Sequence, residues 1–221
     1  ELKPFPANGW GLDVYETAPT GVAAMLSVGV SAGVFFALFK LLPLFEDQFW
    51  IIALSGGITF LFSNLLGLAQ GKVQRLLGYS SVGQMGLLVL AVVLLREIGA
   101  QASVPLVAAG LFLNHLLAKA GLFWFAGIVG ATDVDAPPRA APGPLALGAL
   151  AVFVVAIAGL PPFPAFWAKW ELVLQLVRAD RTEWVVLILL GSLLEAAYLF
   201  RWFARLLRAG GPPSATSLGV L

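Results

Sequence analysis

The chain has 221 residues, of which 60% are hydrophobic and 11% charged, with a net charge of +1 and a mean hydropathy of +0.93. A soluble domain of this length has no use for so much apolar surface, whereas a polytopic membrane protein does, and a near-neutral charge leaves no footprint for nucleic acid. Cysteine is absent, which excludes thiolate metal sites, iron–sulfur ligation and disulfides. A single histidine argues against a His-based metal or haem site, and neither a phosphate loop nor a nucleophile triad is present, so no cofactor and no metal is expected.

Residues 1–20 form a polar, Pro/Gly-containing lead-in, with Trp10 and Tyr15 suited to a membrane interface. The chain opens on Glu1 without a signal-peptide pattern, so further residues are expected upstream. Apolar runs then predict spans at 21–39 (closed by Lys40), 49–68 and 76–95, the last ending at Arg96-Glu97. The second run carries Ser55, Gly56, Gly57, Ser63 and Asn64 as small or polar packing positions. A fourth span, 104–128, holds His115 and, four residues on, Lys119, which places both on one helix face. A Pro-rich polar loop follows over 131–143, with Asp133, Asp135 and Arg139.

A fifth span starts near Pro144 and meets Gly159-Leu160-Pro161-Pro162-Phe163-Pro164, which cannot continue an α-helix. Apolar character resumes at once, in a stretch containing Lys169. This pattern predicts a broken transmembrane helix, tolerated where irregular backbone is buried in protein or lines a hydrated cavity. The alternative is a span that ends at Pro161, with Lys169 in an interfacial helix. The sixth span, 184–203, has Glu195 near its middle and leads to Arg201, Arg205 and Arg208; a polar tail covers 209–221. The fold class is therefore all-α: a polytopic membrane protein of about six helices, one of them broken at Pro161-Pro164, with the helical domain over 21–208. Six spans put both ends on one side. That side collects Lys3, Lys72, Arg75, Arg139, Arg201, Arg205 and Arg208, against Lys40, Arg96, Arg178 and Arg181 opposite, which predicts cytoplasmic termini.

His115, Lys119, Lys169 and Glu195 are the ionisable groups expected at bilayer depth, where such residues are functional candidates by default. Isolated titratable groups on separate spans suit a proton relay, since histidine and a desolvated lysine both exchange protons near neutral pH. The bland reading is a packing histidine, a snorkelling lysine and a carboxylate paired with Arg201, although six residues along a helix is a poor spacing for that pair.

Several stretches resemble the antiporter-like subunits of respiratory complex I, of multisubunit cation/proton antiporters and of membrane-bound hydrogenases. They are Trp10-Gly11-Leu12-Asp13-Val14-Tyr15-Glu16-Thr17-Ala18-Pro19-Thr20, then Gln74-Arg75-Leu76-Leu77-Gly78-Tyr79-Ser80-Ser81 through Gly86, the His115…Lys119 helix, and Gly159 through Lys169. The resemblance implies the C-terminal half of such a subunit, matching its eighth to thirteenth helices and containing the second of two inverted repeats. It implies that Lys169 is the lysine of the broken twelfth helix, passing protons toward the exit, and that His115 and Lys119 are the central relay of the eleventh. Three departures stand out: no ionisable group occupies the eighth-helix position, where Ser31 is the nearest polar residue in 27–33; Gln74 stands where lysine is common; and Glu195 has no counterpart.

The leading expectation is proton translocation within a redox-driven multisubunit complex in a prokaryotic cell membrane. The chain itself carries no redox site, and its partners are other membrane subunits and the bilayer. The alternatives are a monovalent cation/proton antiporter subunit and a non-conducting scaffold subunit.

Overall fold

The computed structural model describes residues 3–209. Among them, helices α1 (Gly9–Thr17), α2 (Thr20–Met25), α3 (Ser31–Leu41), α4 (Phe49–Leu68), α5 (Val73–Glu97), α6 (Val104–Ile128), α7 (Pro144–Ala158), α8 (Pro164–Arg178) and α9 (Thr182–Ala209) account for nearly all of the chain. The expected polar tail lies almost wholly outside the described residues. The lead-in is more ordered than a polar sequence suggests: α1 buries Leu12 and Tyr15.

A π-helical turn, Leu26–Val30, joins α2 to α3 into one rod. A 3-10 segment, Leu42–Gln48, then leads to α4, with Phe45 at φ −125° and ψ 29° interrupting the helical geometry. Uninterrupted, Thr20–Leu68 would reach about 74 Å, more than twice a bilayer core of about 30 Å. The packing shows that the chain reverses here. Ser27 meets Ser81, Gln74 meets Ala18 and Arg96 meets Phe39, so α5 runs parallel to α2–α3. Gly56 faces Gly86 and Leu90 while Asn64 faces Gly83, so α4 runs antiparallel to α5.

The α4–α5 contact is backbone on backbone. A Cβ on Gly56 would stand 2.9 Å from the Gly86 carbonyl oxygen, and one on Gly86 would stand 2.8 Å from that of Gly56. Small residues at such a crossing let dispersion and backbone dipoles act where lipid offers no hydrophobic drive. α5 is the axis of the bundle, with every residue from Leu76 to Leu95 buried by its neighbours.

The proline-rich stretch behaves as a broken span. α7 ends on Gly159 in the left-handed conformation (φ +75°), and Pro164 opens α8 one residue after Phe163. Each half has 15 residues and is about 22 Å long, too short to cross alone. Both lie along α6: Gly121, toward its C-terminal end, packs on Phe153 of α7, and Gly110, toward its N-terminal end, packs on Pro164 and Ala168 of α8. Stacked end to end, they run antiparallel to α6 and match its length, which removes the interfacial-helix alternative for Lys169.

α9 returns alongside α4, pairing Gly57 with Trp184, Phe60 with Gly191 and Gly67 with Tyr198. The six passes therefore alternate in direction, and Thr20 and Ala209 lie at the same end of the bundle. At that end the loops are fastened together. Val73 N–H donates to Thr132 O, Val134 N–H donates to Gly71 O, and Lys72 pairs with Asp133 at 2.9 Å. Arg75 bridges Asp13 and Glu16 of α1, while Gln74 donates to the Tyr15 and Ala18 carbonyls, so a neutral amide at this position closes the end of α1.

The interior is layered. One apolar cluster, from Phe35 and Phe49 through Leu87–Leu95 to Leu172 and Ile188, fills the half away from the termini. A second, including Leu76, Leu122, Phe123, Ile157 and Trp202, fills the half nearer them. Between the two lies a band of buried polar residues: Ser27, Asn64, Ser80, Ser81, Gln84, Asn114, His115, Lys119, Lys169 and Glu195. Outward-facing Met25, Trp50, Leu117, Trp124, Leu145, Trp167, Trp170 and Leu193 give the bundle an apolar exterior suited to lipid.

Candidate functional site

All four candidate residues lie in the polar band, on α6, α8 and α9. Lys119 and Glu195 are fully enclosed, His115 is 2% exposed and Lys169 is 8% exposed. Water therefore does little to support their charges, and neighbouring protein groups must do so.

The Lys119 ammonium donates to the Ser80 hydroxyl, and Ser80 donates to Glu195 Oε1. Gln84, one turn along α5 from Ser80, donates through Nε2 to Glu195 Oε2. Both carboxylate oxygens are thus held by the axial helix, and Glu195 attracts both Lys119 and Lys169. Lys169 Nζ donates to Ser192 Oγ at 3.0 Å, and Ser192 lies three residues before Glu195 on the same face of α9. One enclosed carboxylate thus serves two lysines.

His115 is placed differently from the spacing argument. It shares a face with Lys119, yet its partner is across the bundle: Nε2 is 3.1 Å from the main-chain oxygen of Ser27, on the π turn. A carbonyl only accepts, so Nε2 carries the proton and Nδ1 is the acceptor nitrogen. Ser27 also joins its hydroxyl to that of Ser81 at 2.7 Å. The 27–33 stretch, which has no ionisable group, therefore meets His115 of α6 through Ser27 on the π turn, while the Ser31 hydroxyl donates back to the Leu26 carbonyl at 3.3 Å.

Arg201 donates to the Leu68 and Gln70 carbonyls at 2.9 and 3.0 Å, capping α4, so it is not the partner of Glu195. Asn114, beside His115, donates to the Ala156 carbonyl at 2.9 Å, in the last turn of α7, where the same oxygen also accepts from Gly159 N–H at 3.1 Å. α6 and the broken helix are thereby tied together. Ser80, Gln84 and Ser192 were not singled out by charge, because they are neutral. The i, i+4 spacing of Ser80 and Gln84, and the i, i+3 spacing of Ser192 and Glu195, were the available signals.

A family model described as NADH:quinone oxidoreductase/Mrp antiporter, TM, matches residues 2–195. The chain belongs to this family. The NADH-quinone oxidoreductase subunit N of Desulforudis audaxviator is 32% identical over 213 residues, a match covering 89% of this chain and 41% of that protein. The F(420)H(2) dehydrogenase subunit N of Methanosarcina mazei is 29% identical over 210 residues, covering 89% and 43%. A subunit in the structure of the membrane-bound sulfane sulfur reductase, an archaeal respiratory membrane complex, superposes with a TM-score of 0.79 at 26% identity, covering 97% of this chain and 46% of that one. A chain of the Mrp complex from Dietzia sp. shares the fold, with a TM-score of 0.68 at 19% identity, 94% of this chain and 38% of that one being covered. The chain spans less than half the length of each of these relatives. In this member of the NADH:quinone oxidoreductase/Mrp antiporter family, two lysines, one histidine and one carboxylate are buried together at the same depth of the bundle.

Proposed function

We propose that the chain is the C-terminal half of a proton-translocating, antiporter-like subunit of a redox-driven membrane complex, and that protons move along His115, Lys119, Glu195 and Lys169. The observation that carries this reading is the enclosure of Glu195 between Lys119 and Lys169, each lysine fixed by a hydroxyl. A single carboxylate can neutralise one ammonium at a time. A proton arriving at one lysine therefore alters the charge balance at the other, which is what a relay across a dry layer needs. The subunit N relatives are components of an NADH-quinone oxidoreductase and an F(420)H(2) dehydrogenase, which supports a redox-driven setting with electron transfer in partner subunits. The excess of Lys and Arg at the end that holds Thr20 and Ala209 supports both ends being cytoplasmic, and the bacterial and archaeal relatives support a prokaryotic cell membrane. Residues 21–208 would form the transmembrane unit, with 1–20 as lead-in and 209–221 as tail.

A scaffold reading draws on one observation, the absence of an ionisable group from 27–33, where the family resemblance implies one and Ser31 is the nearest polar residue. One experiment separates the two. In the native complex reconstituted into vesicles, Lys169→Ala should assemble normally and pump at least about tenfold more slowly. Unchanged pumping in an assembled Lys169→Ala complex removes Lys169 from the path, and the same result for Lys119→Ala leaves the scaffold.

A further inference from the structure

We infer that the Ser80 hydroxyl is a proton-passing group between Lys119 and Glu195, a catalytic residue of the relay rather than a packing residue of α5. The inference rests on the relay reading and assigns its chemistry to an atom that carries no charge.

Three features of the geometry carry it. The hydroxyl of Ser80 is engaged on both sides, accepting from the Lys119 ammonium and donating to Glu195 Oε1. An ammonium can only donate and an ionised carboxylate can only accept, so the hydrogen bonds have one polarity, from lysine to glutamate. Next, Ser80, Lys119 and Glu195 are all fully buried, so bulk water is not at hand to do the hydroxyl's work. Last, the neighbouring groups bring no proton of their own to Ser80. The Tyr198 hydroxyl donates to Asn64 Oδ1 at 2.8 Å, and the Asn64 amide is oriented by its own donation to Phe60 O at 2.9 Å. Tyr198 also lies within hydrogen-bonding reach of Ser80, but with its own proton on Asn64 its oxygen can only accept there and brings no competing proton. Gln84 occupies Glu195 Oε2 and leaves Oε1 as the receiving atom.

The step balances without an outside reactant. An N–H bond of the Lys119 ammonium breaks as its proton bonds to Ser80 Oγ. The original Ser80 O–H bond breaks as that proton bonds to Glu195 Oε1. A cation and an anion become a neutral amine and a neutral carboxylic acid, and the hydroxyl is re-formed with its proton now on the lysine side. Before a second proton can pass, the hydroxyl must rotate back, so each passage moves one proton.

The test uses the native complex containing the full chain, reconstituted into vesicles and driven by its own electron donor, with assembly checked for each variant. Ser80→Ala should slow pumping at least about tenfold, as Lys119→Ala does, while Ser80→Thr, which keeps the hydroxyl, should remain within about twofold of the parent. Ser80→Cys, close to serine in volume and still bearing a transferable proton, is the second rescue should threonine prevent assembly. Loss in Lys119→Ala with parental pumping in Ser80→Ala would overturn the hydroxyl route and leave the relay standing. Equal losses in alanine and in the assembled rescue variant would overturn it as well, since volume would then be what matters. Parental pumping in all variants, Lys119→Ala included, would remove the relay itself.

Discussion

The main-chain oxygen of Ser27 lies 3.1 Å from His115 Nε2, so a side chain of α6 is held by the π turn of the first span. A carbonyl left without a donor inside the bundle costs about 1–3 kcal/mol. His115→Leu fills most of the imidazole volume and supplies no donor, so it should destabilise the protein by that amount. Chemical unfolding of the detergent-solubilised protein reads this directly. Parental stability in the variant would show that the Ser27 carbonyl finds another donor and that the π turn does not depend on His115.

Glu195→Gln removes the one anion enclosed with Lys119 and Lys169 while keeping nearly the same shape. The substitution would leave two buried ammonium groups with hydroxyl partners only, and an uncompensated buried charge costs several kcal/mol. The variant should therefore be less stable and, where it assembles, should pump at least about tenfold more slowly. Glu195→Asp keeps the charge but retracts it from Ser80 and Gln84, and should fall between the two. Proton uptake and unfolding measured on the same preparations would check both effects. Equal pumping by the parent and Glu195→Gln would deny the carboxylate any part in transfer.

The Lys72–Asp133 pair gives a pH dependence outside the membrane layer. The hydrogen bond from Lys72, with a second from Thr132, holds the Asp133 carboxyl below its ordinary 3.8, and the bond to Asp133 holds the Lys72 ammonium above its ordinary 10.5. A depressed carboxylate contributes stability that is present above its unfolded value and is lost as pH falls through the folded one. A raised amine contributes stability that is complete below its unfolded value and is lost as pH rises through the folded one. The pair therefore acts between those limits and fades in acid below 3.8 and in base above 10.5. Asp133→Asn should lower the unfolding temperature slightly at neutral pH, with the difference closing in acid. A difference that persists unchanged well below pH 3.8 would assign the effect to the backbone bridge between Lys72 and Asp133 instead.

The fold was legible in this sequence because lipid imposes a simple rule: long apolar runs become helices, and Pro161, Pro162 and Pro164 forbid one from continuing. His115, Lys119, Lys169 and Glu195 stood out because charge at depth is costly. Their partners did not. Ser80, Gln84 and Ser192 are ordinary residues for a helix interface, and nothing in linear order says that α5 is the buried axis of the bundle. The π turn at Leu26–Val30 was equally hidden, since an i→i+5 bond leaves no compositional mark. The placement of Arg201 on the α4 carbonyls, rather than on Glu195, depended on how α9 lies against α4, which only the folded chain decides.

Gly159 is where backbone conformation and the candidate site meet. Its φ of +75° lies in the left-handed region, and a Cβ there would stand 3.1 Å from both Cδ and Nζ of Lys169. Gly159→Ala should cost about 1–2 kcal/mol from the backbone alone, and the added methyl should push the ammonium off Ser192. A substitution that adds no charge and removes no hydrogen-bonding group should then slow pumping in an otherwise assembled complex. Gly148→Ala, on α7 with open space around its Cα, is the matched control and should leave pumping unchanged. If the Gly159 variant is destabilised yet pumps like the parent, the lysine tolerates displacement and its position over the helix break is not what transfer requires.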